Sequence, residues 1–263
     1  MTRADVDPIA SEIVRPGVAV LTLQRPDRRN ALSIALLTRL VDELDRLRAG
    51  GGTRVVILRG AGRVFSAGLD LAEAADPGLV EESARRVAAA LHTLQHSPLV
   101  SIAAVHGGAY AGGAGLMAAC DMAVGASDLV IGFPEAQRGL LPALVCEPLR
   151  CKVRQGDLAE LFIVGQSIDA TRAREIGLLQ RVVAPQRVME EALLMADGVL
   201  AGGPETIVET KALLRKVYGH PAAADGADAA IAEHLKARHS AEAAEGLRAF
   251  LEKRPPHWRQ PAG

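Results

Sequence analysis

The stretch His106-Gly107-Gly108-Ala109-Tyr110-Ala111-Gly112-Gly113-Ala114-Gly115-Leu116-Met117-Ala118-Ala119-Cys120-Asp121 decides the fold. The apolar run Val100 to Val105 reads as a strand that feeds a glycine-rich turn, and the turn opens into an apolar helix from about Gly113. A helix that begins this way leaves its first N–H groups unpaired and puts its positive dipole end at the turn. Such an end can hold a developing negative oxygen. A second loop, Val64-Phe65-Ser66-Ala67-Gly68-Leu69-Asp70-Leu71, lies upstream. Two backbone donors from two loops, converging on one carbonyl oxygen, form an oxyanion hole. The competing reading of Gly68, Gly112 and Gly113 is tight helix–strand packing alone.

Composition narrows the classes. The 263 residues are 49% hydrophobic and 23% charged, with a net charge of −1. That length accommodates one large core or a core with an appended part. No basic excess points to nucleic acid, and no apolar run has membrane-spanning length. Three cysteines, Cys120, Cys146 and Cys151, are too few and too oddly spaced for a disulfide framework or a zinc site. Met1 to Pro8 is polar and unlike a signal peptide, so a reducing cytoplasm is the expected compartment.

Elsewhere Glu12 to Leu23 predicts a strand and Ser33 to Arg48 a helix capped by Ser33 and ended at Gly50-Gly51-Gly52. Val55 to Leu58, Met122 to Val124 and Leu129 to Ile131 predict short strands, and Glu81 to Gln95 a helix. From Ile168 the pattern is helical apart from Arg181-Val182-Val183. The rhythm gives an α/β core at roughly 10–200, a helical part at 201–263, and an exposed tail from Arg254 to Trp258. Periodicity alone does not separate a spiral from a doubly wound sheet.

The two loops resemble those of the crotonase (enoyl-CoA hydratase/isomerase) superfamily. Four further segments agree in order: Arg25 to Leu32, Phe133-Pro134-Glu135 with Gly139 to Pro142, Gly165 to Ala170 with Ile176 to Leu178, and Glu245-Gly246 with Phe250 to Arg254. The resemblance implies a spiral of ββα turns whose 10–200 part holds a CoA-thioester site and whose 201–263 part mediates a homotrimer or a dimer of trimers. It implies that the Ala67 and Gly112 N–H groups receive the thioester oxygen and that CoA, part of the substrate, is the only cofactor-like group. Arg28, Ala31, Gly68, Leu69, Asp70, Leu71, Phe250 and Lys253 match positions near the substrate. Phe250 and Lys253, at i and i+3, are expected on one helix face, where they either cover an adenine or merely pack and solvate. Asp70 either approaches the CoA or caps a loop. His106, Cys120 and Asp121 are expected to be structural.

Of the two carboxylates that hydratases of this superfamily use, one is absent: Gly115 stands at its place. Glu135 matches the other, at an expected helix start after Pro134. Three readings stay open. A hydratase is favoured because Gly112 to Asp121 and Glu135 to Ala143 resemble bacterial methylglutaconyl-CoA and isohexenylglutaconyl-CoA hydratases. An isomerase moving a double bond from the 3- to the 2-position needs only one carboxylate. A non-catalytic thioester-binding relative is the third. A dinucleotide site fits poorly, because Gly108 to Gly115 lacks a clean Gly-x-Gly-x-x-Gly. A serine protease lacks a serine in the turn.

Overall fold

The computed structural model describes residues 7–218 and 226–258. Most of Met1 to Pro8 therefore lies outside the described residues. The chain opens with an antiparallel pair, β1 (Ile9–Arg15) and β2 (Gly17–Leu23). The single strand expected at Glu12 to Leu23 is thus two strands. Pro16 ends the first, and Gly17, at φ 82°, makes the reversal that a residue with a Cβ would resist. Helix α1 (Ile34–Ala49) follows, and the Ser33 hydroxyl accepts from the Leu36 N–H at 3.2 Å. Its apolar stripe, Leu36, Leu37, Leu40, Leu44 and Leu47, is buried.

Strand β3 (Thr53–Gly60) lies parallel to β2. Then come α2 (Leu71–Ala75), α3 (Val80–His96) and β4 (Val100–Val105), the last parallel to β3. Next are β5 (Gly108–Tyr110), α4 (Gly112–Ala119), β6 (Met122–Ala126) and β7 (Val130–Gly132). The glycine turn therefore contains a strand of its own, too short to show an alternating pattern. After α5 (Ala143–Arg150) and α6 (Gln155–Ala159) come β8 (Ile168–Asp169), α7 (Ala170–Glu175) and β9 (Arg181–Val183).

The strands form two sheets, β1-β2-β3-β4-β6-β9 and β5-β7-β8. Every pair in the larger sheet except β1–β2 is parallel, as helical crossovers require. Strands β3 and β4 are almost wholly buried, as parallel strands covered on both faces must be. Helix α4 is buried at all eight positions, so it is apolar all round rather than amphipathic. The chain ends in helices α8 (Val188–Leu200), α9 (Pro204–Tyr218), α10 (Gly226–Arg238) and α11 (Ala241–Leu251). Helix α10 packs on α3 and α5 and thereby roofs the region in front of α4.

Asn30 braces the upstream loop, Val64 to Leu71, from behind. It is fully buried, at φ 52°, a conformation that asparagine tolerates better than most residues. Its amide nitrogen donates to the carbonyls of Ala61, Val64 and Phe65 at 2.8, 2.9 and 3.1 Å, and its Oδ1 accepts from the Arg25 N–H at 3.0 Å. Asn30→Ala leaves those buried groups unpaired, so a loss of about 3 kcal/mol is expected. A shift of the urea midpoint checks this, and a change within experimental error would show that water replaces the amide.

Candidate active site

The two loops are zipped together. Phe65 and Ser66 donate to the carbonyls of His106 and Gly108 at 3.0 and 3.2 Å, and Tyr110 donates back to Ser66 at 3.0 Å. A Cβ on Gly113 would lie 2.7 Å from Ser66 Cβ and from both Ser66 oxygens. Glycine is therefore needed here for close approach. The turn before α4 is strained: Ala111 sits at φ 50°, ψ −122°. Its N–H donates to Gly132 at 2.9 Å, which helps hold it there. The next residue, Gly112, begins the helix, and its N–H has no backbone acceptor among the described residues.

A cavity of 520 Å³ opens in front of that N–H. Ala67, Gly112, Glu135, Arg28, Ala31, Leu69, Asp70, Leu71 and Phe250 all line it, so the structure gathers most of the residues expected from the sequence. Two fall elsewhere. Gly68, at φ 89°, lies behind the wall, where a Cβ would come 2.9 Å from the Tyr110 carbonyl; it serves the turn. Lys253 is not on a helical face with Phe250. Helix α11 ends at Leu251, and Lys253 takes the left-handed position that closes it, at φ 53°. Its N–H reaches Phe250 O at 3.2 Å while Arg254 reaches Ala249 O at 3.0 Å, the pairing of a Schellman cap.

The Ala67 donor also departs from expectation. Its N–H is not free: it donates to the Arg29 carbonyl at 2.9 Å. Arg29 and Asn30 both stand at φ 52°, two consecutive left-handed residues that turn this carbonyl inward. The Ala67 amide is thus taken, whereas the Leu69 N–H two residues on has no acceptor among the described residues and stands 4.0 Å from the place of a Cβ on Gly112. Two unpaired amides, Leu69 and Gly112, therefore face the cavity from the two loops.

Glu135 follows β7 and precedes a single 3-10 turn, Ala136–Arg138, rather than the expected helix. Gly139 at φ 66° stops the turn at once. The Glu135 Oε2 is buried with no hydrogen-bond partner. Burial raises its carboxyl from the ordinary 4.5 to about 7, against the opposing effects of its own backbone N–H and nearby Arg138. A carboxyl poised near neutrality in a cleft is suited to proton transfer. The place of a second carboxylate is filled. A Cβ on Gly115 would lie 2.5 Å from Val145 Cγ1, so α5 occupies that space with a methyl group.

Asp70 does both things expected of it: it lines the cavity, and it caps α2 by accepting from the Ala72 N–H at 3.1 Å. It also pairs with Arg25 at 2.9 Å. Arg28 stands exposed on the turn Pro26–Arg28 at the cavity mouth. The Arg138 guanidinium lies 4.3 Å from the Phe250 ring centre, a cation–π contact. His106 bonds the Gly62 carbonyl at 2.9 Å. Cys120 is fully buried, its thiol pushed up to about 12 by desolvation. Among the cavity residues that the sequence did not single out are the titratable Arg138, His234 and Arg238. Arg138 follows Glu135 by one turn and could have been found by that spacing; the other two carry no local signal.

A larger cavity of 900 Å³ lies at the other end of α4, beside Cys120, Lys152 and Lys211. Its charged groups are already engaged. Lys211 Nζ sits 2.7 Å from Asp121 Oδ2, and Lys152 donates to the Cys120 carbonyl.

A family described as enoyl-CoA hydratase/isomerase matches residues 14–261. The chain belongs to the enoyl-CoA hydratase/isomerase family. A relative named as an enoyl-CoA hydratase in Thermus thermophilus is 36% identical, covering 94% of this chain and 99% of its own. The 2,3-dehydroadipyl-CoA hydratase of Escherichia coli is 32% identical, over 92% of this chain and 95% of its own. A crystal structure from Mycobacterium avium paratuberculosis, also named as an enoyl-CoA hydratase, superposes with a TM-score of 0.88 at 34% identity. It covers 96% of this chain and 99% of its own. The mixed α/β architecture with a helical C-terminal part is therefore the crotonase fold. The protein is an enzyme of the enoyl-CoA hydratase/isomerase family, and the cavity in front of Gly112 is its candidate active site.

Proposed function

We propose that the protein is an enoyl-CoA hydratase in which one carboxylate, Glu135, carries the proton in both halves of the reaction. The observation that carries this reading is the unpartnered, buried Glu135 Oε2 in the same cavity as the free Gly112 N–H. The thioester oxygen of a 2-enoyl-CoA takes the Gly112 amide. Ionised Glu135 removes a proton from water as the water oxygen bonds to C3. The electron pair of the double bond moves through C2 onto the thioester oxygen, where the helix end stabilises it. The enolate then collapses, and C2 takes the same proton back from Glu135. Water is consumed, and no electron or proton is left over. Because one group delivers both parts, hydroxyl and hydrogen add to the same face.

The second donor is the unpaired Leu69 N–H beside Gly112, while the Ala67 N–H stays with the Arg29 carbonyl and holds the loop. CoA enters as part of the substrate, with Arg28 as a cation for its phosphates. Phe250, exposed at the cavity wall, is available to stack on its adenine. No further cofactor is needed for this chemistry. Self-association into a trimer or a dimer of trimers fits the apolar residues that α9 exposes, Leu213, Leu214, Val217 and Tyr218.

Moving a double bond from the 3- to the 2-position is the second reading. It needs the same single carboxylate, and the methyl group filling the place beside Gly115 favours it by removing a holder for water. Products from matched 2-enoyl- and 3-enoyl-CoA substrates in deuterated water separate the two. Gain of water by the 2-enoyl substrate supports the hydratase. Conversion of the 3-enoyl substrate without gain of water, and no hydration, overturns it in favour of the isomerase. A non-catalytic relative binds both and converts neither.

The active form of Glu135 is ionised in either mechanism. Burial moves its titration up to about 7, so kcat/KM is expected to rise through that pH and level off above it. A pH–rate profile that falls through neutrality would instead make protonated Glu135 the working form.

A further inference from the structure

The roof of the cavity carries an arginine with no anion to pair with. Arg238 and His234 stand one turn apart on α10, and both line the cavity together with Val87 of α3 and Leu144 of α5. Arg238 donates to the Ala74 carbonyl, and among the described residues it has no carboxylate partner. None of the cavity's carboxylates pairs with Arg238: Asp70 holds Arg25, Glu135 stands by Arg138, and Asp27 lies on the exposed turn Pro26–Arg28 at the mouth. Desolvation lowers the Arg238 pKa from its ordinary value with no acidic neighbour to offset it. His234, buried to 7% exposure, is pushed down to about 4 by desolvation and by Arg238, so it stays neutral. It makes no hydrogen bond to another described residue.

A guanidinium partly withdrawn from water, with most of its donors unclaimed, is costly unless an anion arrives. A carboxylate matches its fork in two parallel hydrogen bonds, and a neutral imidazole beside it can donate a third. The apolar side chains around the pair suit the methylenes of an acyl chain. Arg28 and Arg29, on the exposed turn at the mouth, are the cations in reach of the CoA phosphates.

We infer that the acyl group ends in a carboxylate, held by Arg238 and His234, so that the substrates are mono-CoA thioesters of dicarboxylic acids. This rests on the cavity being an acyl-CoA site and names the class of acyl chain it takes. An acyl carboxylate and a CoA phosphate are both anions that Arg238 can hold, so the test separates them.

Binding of saturated thioesters reads the inference without turnover. Succinyl-, glutaryl-, adipoyl- and suberyl-CoA are compared by calorimetry with the methyl-ended chains of equal carbon number. At least one dicarboxylic chain is expected to bind about 30-fold more tightly than its methyl-ended match. R238M is expected to reduce that ratio to below about threefold, with R238K between the two. Equal binding of every matched pair by the wild type overturns the inference while leaving the acyl-CoA site standing. Equal weakening of both chains by R238M assigns the arginine to CoA phosphate and also overturns it. Failure of any acyl-CoA to bind removes the site reading and this inference together. Should R238M not fold, the wild-type ratio and R238K decide.

Discussion

Replacing Glu135 by glutamine is expected to lower kcat by about 10³-fold and, at pH 8, to make the protein more stable. The first effect follows from the mechanism, since Glu135 is the cavity's one buried carboxylate with an unpartnered oxygen among the described residues, Asp70 being held by Arg25 and Asp27 lying exposed on the turn at the mouth. The second follows from linkage. Glu135 titrates near 7 in the folded protein against an ordinary 4.5, so the native state keeps a proton that the unfolded state has lost. Stability contributed by this group is therefore full below pH 4.5 and falls as pH rises to 7. Above 7 the native state carries a buried charge with an unpaired oxygen. Glutamine keeps the shape and removes the charge, which should return on the order of 1–3 kcal/mol. Turnover and thermal melts at pH 5 and 8 test both. Unchanged turnover removes Glu135 from the mechanism, and a lower melting temperature at pH 8 makes it a structural residue.

The second large effect is expected from Gly113→Ala. The added methyl would meet Ser66 at 2.7 Å, on its Cβ, its backbone oxygen and its hydroxyl. Ser66 cannot retreat: its hydroxyl donates to the Asn30 carbonyl at 2.8 Å, and its carbonyl accepts from Tyr110. The start of α4 must move instead, carrying the Gly112 N–H with it. Displacing an oxyanion donor by a fraction of an ångström is expected to lower kcat by about 100-fold. Overpacking should cost about 1–3 kcal/mol of stability. Gly198→Ala is the control, because on α8 it meets nothing within 4 Å and should be neutral or slightly stabilising. Normal turnover in the Gly113 variant would mean that the two loops yield more easily than their hydrogen bonds indicate.

What could be read from the sequence depended on whether a residue's type reveals its task. The turn from His106 to Asp121 was legible because close approach between backbones leaves only glycine, and α4 was legible because burial on all sides leaves only small and apolar residues. Glu135 was legible through its motif. The masked Ala67 amide was not, because the Arg29 carbonyl that masks it belongs to a backbone conformation, and arginine at φ 52° leaves no mark in the sequence. Lys253 misled for the same reason: a lysine stands where a glycine would have announced the helix end. The break between β1 and β2 did have a signal, the Pro16-Gly17 pair, which outweighs the alternation around it. His234 and Arg238 reach the cavity only because α10 folds back over α3 and α5, a matter of tertiary packing that no local pattern reports.

The Val145 methyl group beside Gly115 also bears on how this active site can change over generations. A single exchange of Gly115 for glutamate collides with α5. A single exchange of Val145 for a smaller residue opens a void in a packed wall. Each step alone is expected to cost stability, and only the pair restores packing with a second acid in place, so the two positions are expected to be strongly epistatic. On the proposed one-carboxylate mechanism, a lineage that holds this glycine–valine pair is expected to stay with that chemistry because its mutational landscape is rugged, even where a two-carboxylate enzyme would run faster.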